Sequence, residues 1–170
     1  MPAATVATPA PRGATYENWR PPIVGVALLV PVGAHCLAVA DLRGMLMLPV
    51  GDVHPGQSVE EAAHNVLHPA AEGLQLLRQV AVDRIQTRRR TITTHLLASL
   101  PATRAVVDNL TYRDARADVR IMPTLHFIEQ VRPHARLRVL VGLQALATGE
   151  TAFIEDGTVR AAIPTELTPT

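Results

Sequence analysis

Lysine is absent from the chain: all sixteen basic residues are arginine. A replacement that complete reflects the codon usage of a GC-rich bacterial genome better than the needs of any one site. Cysteine is nearly absent as well. The single Cys36 excludes an internal disulfide, and its place in an apolar run suits a packed thiol in a reducing compartment, so a cytoplasmic location is expected. One Trp, two Tyr and two Phe are too few to build a stacking platform for single-stranded nucleic acid. Charge is sparse: charged residues make up 18% and the net charge of +1 gives no field to draw in a polyanion, so no nucleic-acid partner is expected. Long apolar runs are missing too. The longest, Ile23 to Val32, follows Pro21-Pro22 and has the length of a strand, far short of the roughly 18 residues of a spanning helix, so no membrane partner is expected.

What is present is an ordinary single domain. A chain of 170 residues, 48% of them hydrophobic, can bury a core without a disulfide or structural metal. Residues 1–20 are rich in Ala, Thr and Pro, without the basic start and apolar middle of a signal peptide, and read as a disordered tail. The domain is expected over 21–163, with a loose end at 164–170. Ile23 to Pro31 and His35 to Ala40 are apolar runs joined at Gly33-Ala34, which predicts a hairpin. Asp41-Leu42-Arg43-Gly44 is a second turn before a short strand at Met45 to Pro49. Ser58 followed by Glu61 is a capping-box signature, and a short helix is expected from Glu60 to Leu67, ended by Pro69. Strands on either side of Arg88-Arg89-Arg90 place those arginines at a hairpin tip. Ala102 to Leu110 reads as helix and Val119 to Met122 as strand. Pro133 to Ala147 is the main helix, with an apolar stripe at Leu137, Leu140, Val141 and Ala145. Asp156-Gly157 marks a last hairpin turn.

Residues 48–74 carry a motif. They run Leu-Pro-Val-Gly-Asp-Val-His-Pro-Gly-Gln-Ser-Val-Glu-Glu-Ala-Ala-His-Asn-Val-Leu-His-Pro-Ala-Ala-Glu-Gly-Leu. The segment resembles the Nudix box, G-x5-E-x7-R-E-U-x-E-E-x-G-U with U a bulky apolar residue. Gly51, Gly56, Glu60, Glu61, Ala62, Ala63 and Leu67 match the family's usual residues there, and Gly73-Leu74 matches the end of the pattern if one residue is inserted. The resemblance covers residues 21–150 or so and implies an α/β fold, an α/β/α sandwich with a mixed sheet. It also implies phosphoanhydride hydrolysis assisted by magnesium or manganese held on box glutamates. At those positions the chain carries Gln57, Asn65, Val66 and Pro69-Ala70, or Ala70-Ala71 with the insertion. The expectation is therefore a Nudix-fold protein with an eroded metal site that binds a phosphorylated or anionic small ligand. If it does hydrolyse, Glu60, Glu61 and Glu72 are the surviving acids.

Two further constellations stand out. His64 and His68 are four apart and would share one face of the short helix, with His54 in the preceding loop; such a set could hold zinc and support a metal-dependent reaction in bacterial specialised metabolism. Against this, helical His pairs arise often by chance. Arg84, Arg88 and Arg90 are candidate phosphate ligands, since a guanidinium matches phosphate in two-point hydrogen bonding. The bland alternative is a solvated tip balanced by Asp83, Asp108, Asp114 and Asp118. A third possibility is a non-catalytic homodimeric interaction module. His95, on a strand face, reads as an ordinary surface or half-buried histidine.

Overall fold

Strand β1 (Ile23–Leu29) is apolar on both faces, and Val26 to Val30 have no exposed surface. A strand of that kind needs neighbours on both edges and cover on both faces. It runs inside a six-stranded mixed sheet in the computed structural model, which describes residues 20–68 and 74–163. The expected loose ends and Glu72, with Pro69 and Ala70, fall outside the described residues. Across the sheet the order is β12 (Thr158–Ile163), β11 (Thr151–Glu155), β7 (Leu76–Gln86), β8 (Thr91–Ser99), β1, and β5 (Val50–Asp52). β1 lies parallel to β8 and β11 parallel to β7, while the other pairs are antiparallel.

The expected hairpin between Ile23–Pro31 and His35–Ala40 is corrected. Only β2 (Pro31–Val32) folds back on β3 (Cys36–Leu42), because β1 is already hydrogen-bonded on both edges by β8 and β5. β3 belongs to a second sheet, where it pairs with β10 (Asp118–Pro123) and with β4 (Met45–Met47). The β3–β4 turn has Arg43 and Gly44 at φ 52° and 89°, the two positive values that a two-residue type I′ connection requires. Asp41 fixes this corner: it accepts the Gly44 N–H at 2.7 Å and the Arg120 guanidinium of β10 at 2.6 Å. Cys36 is half-buried against the core and not fully enclosed.

Helices cover the large sheet on both faces. α1 (Val59–His64) packs on one, sharing a core with Val26, Leu28 and Leu97. α4 (Pro133–Thr148) covers the other, over Ala27, Leu29, Leu96 and Val80. In α4 the buried stripe is Val139, Val141, Gly142 and Ala145; Leu140, expected in it, is 47% exposed. Gly142 sits against Leu96, Leu29 and Val80, and the missing side chain is what lets helix and sheet approach this closely. The remaining pieces, α2 (Arg104–Asp108), α3 (Thr124–Gln130) and the two-residue ladder of β6 (Leu67–His68) with β9 (Thr111–Tyr112), close the edges. No helix among the described residues is long and apolar enough to cross a membrane.

Candidate functional site

The loop and helix at 51–65 are built by local hydrogen bonds. The Gln57 side-chain oxygen accepts the His54 N–H at 3.1 Å and closes the loop. Ser58 and Glu61 form the anticipated capping box: Ser58 Oγ accepts the Glu61 N–H at 3.1 Å, and the Glu61 carboxylate accepts the Ser58 N–H at 2.8 Å. The helix is shorter than expected. It ends at His64 with Asn65 as cap, and Leu67–His68 leave as β6 to pair with Thr111–Tyr112, burying Val66 and Leu67 completely. Pairing in a ladder wins over a last helical turn because it seats both apolar side chains in the core.

That early ending separates the histidines. His64 is the last helical residue and His68 lies on a strand, so they do not share a helix face. His54, His64 and His68 are each exposed, and among the described residues no three His, Cys, Asp or Glu side chains are gathered closely enough to hold a metal ion. The zinc arrangement expected of these three is therefore not assembled. A hard divalent cation asks for several carboxylate oxygens in one place. The described residues do not fit it: Glu61 is engaged in the capping box, Glu60 stands exposed, Gln57 closes its own loop, and Val66 is buried and apolar.

Arg88 and Arg90, in contrast, come together with Arg89 of the same tip and with Arg20, which was not singled out from sequence. The tip is an ordered turn in which the Thr87 N–H donates to the Arg90 carbonyl at 2.9 Å and Thr87 Oγ1 accepts the Arg90 N–H at 3.0 Å. The Arg20 N–H donates to the Arg89 carbonyl at 2.7 Å, which fastens the entry of the domain to this tip. Arg20, Arg88, Arg89, Arg90, Ile23 and Ile92 line an open groove of about 520 Å³. A second groove of about 540 Å³, flanked by Pro22, Val24, Val53 and His54, adjoins it at Ile23. Arg84 does not line either: it pairs in register with Thr93, on the face opposite the one that carries Ile92. Six ion pairs are present among the described residues, and none involves Arg20, Arg84, Arg88, Arg89 or Arg90. Two of the four proposed balancing acids are committed elsewhere, Asp83 to Arg138 and His134, and Asp114 to Arg116.

His95 is the residue that sequence reading undervalued. It lies on β8 beside Val82 and Val26, on the α1 face, and its Nδ1–H donates to Gln79 Oε1 at 2.6 Å. An amide oxygen can only accept, so Nδ1 carries the proton and Nε2 keeps its lone pair. Burial lowers the His95 pKa, opposed by the charge of Glu60 on α1. Gln79 meets His95 because β7 shifts register between Gln79 and Ala81, an irregularity that strand alternation does not announce.

The architecture is the Nudix one, a mixed sheet between helices with the loop and helix at 51–64 against β1 and β5. Among solved structures, the chain is similar to a Nudix hydrolase from Nitrosomonas europaea, at a TM-score of 0.54 and 13% identity over 81% of this chain and 78% of that one. It is also similar to the E. coli ORF135 protein, at 0.56 and 14% identity, covering 80% of this chain and 97% of the other. A MutT protein from Methanosarcina mazei Go1 aligns at 0.50 with 12% identity, over 76% and 96%. Neither a protein-family model nor a curated protein sequence matches the chain. Identities this low establish a shared fold and leave function to the site itself.

Proposed function

We propose that this is a Nudix-fold protein whose box-equivalent segment no longer serves a catalytic metal, and whose retained role is to bind a phosphorylated or otherwise anionic small ligand. The observation that carries the reading is the set of guanidinium groups of Arg20, Arg88, Arg89 and Arg90, without an ion-pair partner among the described residues, around one open groove. Arginines held together on an ordered turn repel one another, and a bidentate anion offsets that repulsion. Supporting the loss of hydrolysis are the engagement of Glu61 in a cap and the neutral side chains of Gln57, Asn65 and Val66.

The test is a panel of inorganic pyrophosphate, nucleoside di- and triphosphates and dinucleotides. Phosphate release is followed with magnesium, manganese or zinc, and binding by calorimetry. The expected outcome is binding without turnover. In Arg88→Ala and Arg90→Ala, affinity drops about tenfold each, the size of one lost charge-assisted contact. Magnesium-dependent turnover abolished by Glu60→Gln would overturn the non-catalytic reading. Undiminished binding in both arginine variants would overturn the site.

A further inference from the structure

Ile23, Ile92 and Ile85 are register partners on three adjacent strands, β1, β8 and β7, so they stand side by side on one face of the sheet. That is the α4 face, because the next row inward is Gly25, Thr94 and Asp83, and Asp83 is paired to Arg138 and His134 of α4. α4 covers that inner row. The isoleucine row lies beyond it: Ile23 is 36% exposed, Ile92 and Ile85 are half-buried, and among the described residues neither core takes them in. Three large aliphatic side chains in line, spanning roughly 10 Å at ordinary strand spacing, form an apolar ledge, and two of them, Ile23 and Ile92, line the groove together with Arg20, Arg88, Arg89 and Arg90. Among the described residues, none that lines this groove or its neighbour at Pro22 and Val53 is aromatic.

We infer that the ligand of this site is a small amphiphilic phosphate, whose anionic head lies among Arg20, Arg88 and Arg90 and whose aliphatic chain lies along Ile23, Ile92 and Ile85. The inference rests on the anion-binding reading above and narrows it. A nucleotide would bring a planar base that gains most from a stacked aromatic ring, and the described residues of the grooves offer none. An aliphatic chain gains from contact with branched aliphatic side chains alone. Charge complementarity sets the orientation: the arginines lie on the β7–β8 tip and beside Ile23, on the side of the row away from α4, and the head group goes to them.

The experiment is a calorimetric series of ethyl, butyl, hexyl and octyl phosphate below their aggregation limits, beside inorganic phosphate, a nucleoside monophosphate, octanol and phosphatidic acid vesicles. The full chain is used, as wild type, Arg88→Ala/Arg90→Ala and Ile85→Thr/Ile92→Thr. The threonines keep the β-branched shape that a strand favours. Affinity is expected to climb by up to about fourfold per buried methylene and then level off once the chain outruns the ledge. The threonine variant should flatten that climb far more than it weakens inorganic phosphate, and the arginine variant should weaken every member alike. A flat series with phosphate or nucleotide bound equally well overturns the amphiphile and leaves the anion site standing. No binding by any phosphate overturns both. Binding to vesicles without binding to monomeric octyl phosphate makes the occupant a membrane surface and overturns the inference. So does light scattering that shows a wild-type dimer split by Ile85→Thr/Ile92→Thr, since the occupant is then a second copy of the chain.

Discussion

Asp83 keeps a carboxylate where almost no water reaches it, at 1% exposure. Its Oδ2 accepts the Arg138 Nη2–H at 2.8 Å and Nε–H at 3.0 Å and lies 2.9 Å from His134 Nε2, which itself accepts from Arg138 Nη2, while Oδ1 is buried without a partner among the described residues. A buried pair contributes little net stability, but removing one member leaves an uncompensated charge. Arg138→Met should therefore cost about 3 kcal/mol in urea denaturation. The double variant Asp83→Val/Arg138→Met should recover most of that loss; a double variant as unstable as the single would show that the pair is a net stabiliser. His95 makes a prediction in pH. Its folded pKa lies below the ordinary imidazole value of about 6.5, so between the two values the unfolded chain binds the extra proton. Stability contributed by neutral His95 is then present above pH 6.5 or so and falls as pH drops through that value toward the folded pKa. His95→Gln should flatten the urea midpoint across this window, and a wild-type midpoint that rises on acidification would refute the assignment.

At the scale of elements, α1 is only six residues long and owes its start to the capping box. So short a helix has no intrinsic stability, and its two reciprocal cap bonds together with Ala62 and Ala63 in the core hold it. Ser58→Ala and Glu61→Ala should each destabilise the protein by about 1 kcal/mol in thermal or urea unfolding, with ligand affinity unchanged. A large loss of binding in Glu61→Ala without a stability change would return Glu61 to the site. Elements also show which local signals are strong. Ser58 with Glu61, Pro133 opening α4, the arginine tip and the Asp156-Gly157 turn were all legible, because each is decided by residues within four positions of one another. The end of α1 was not, because Leu67–His68 choose β9, more than forty residues away, over the last helical turn.

For the whole molecule, the consequence of the anion site proposed at the sheet's end is coupling between ligand and stability. A ligand that binds only the folded chain adds about 2.7 kcal/mol at a hundred times its Kd, which for a domain of this size raises Tm by roughly 5–10 °C. Pyrophosphate or octyl phosphate at that ratio should produce this shift in wild type and lose most of it in Arg88→Ala/Arg90→Ala. An equal shift in the variant would place the anion elsewhere. The groove itself needs the complete fold. Arg20 reaches the tip through a bond to Arg89 some seventy residues away, and Ile23, Ile92 and Ile85 become a row only through a parallel and an antiparallel register together.

The amino-acid sequence by itself determined the α/β class, the capping box at Ser58 and Glu61, and the turns at Arg43-Gly44, Arg88-Arg89-Arg90 and Asp156-Gly157. These depend on residue type and short spacing, which act within a turn or two of the backbone. Only the tertiary structure decided that the three histidines stay apart, that Arg84 faces away from Arg88 and Arg90, and that His95 meets Gln79. Each of those depends on strand register and pairing between distant segments, and register is settled by burying one face of every strand at once.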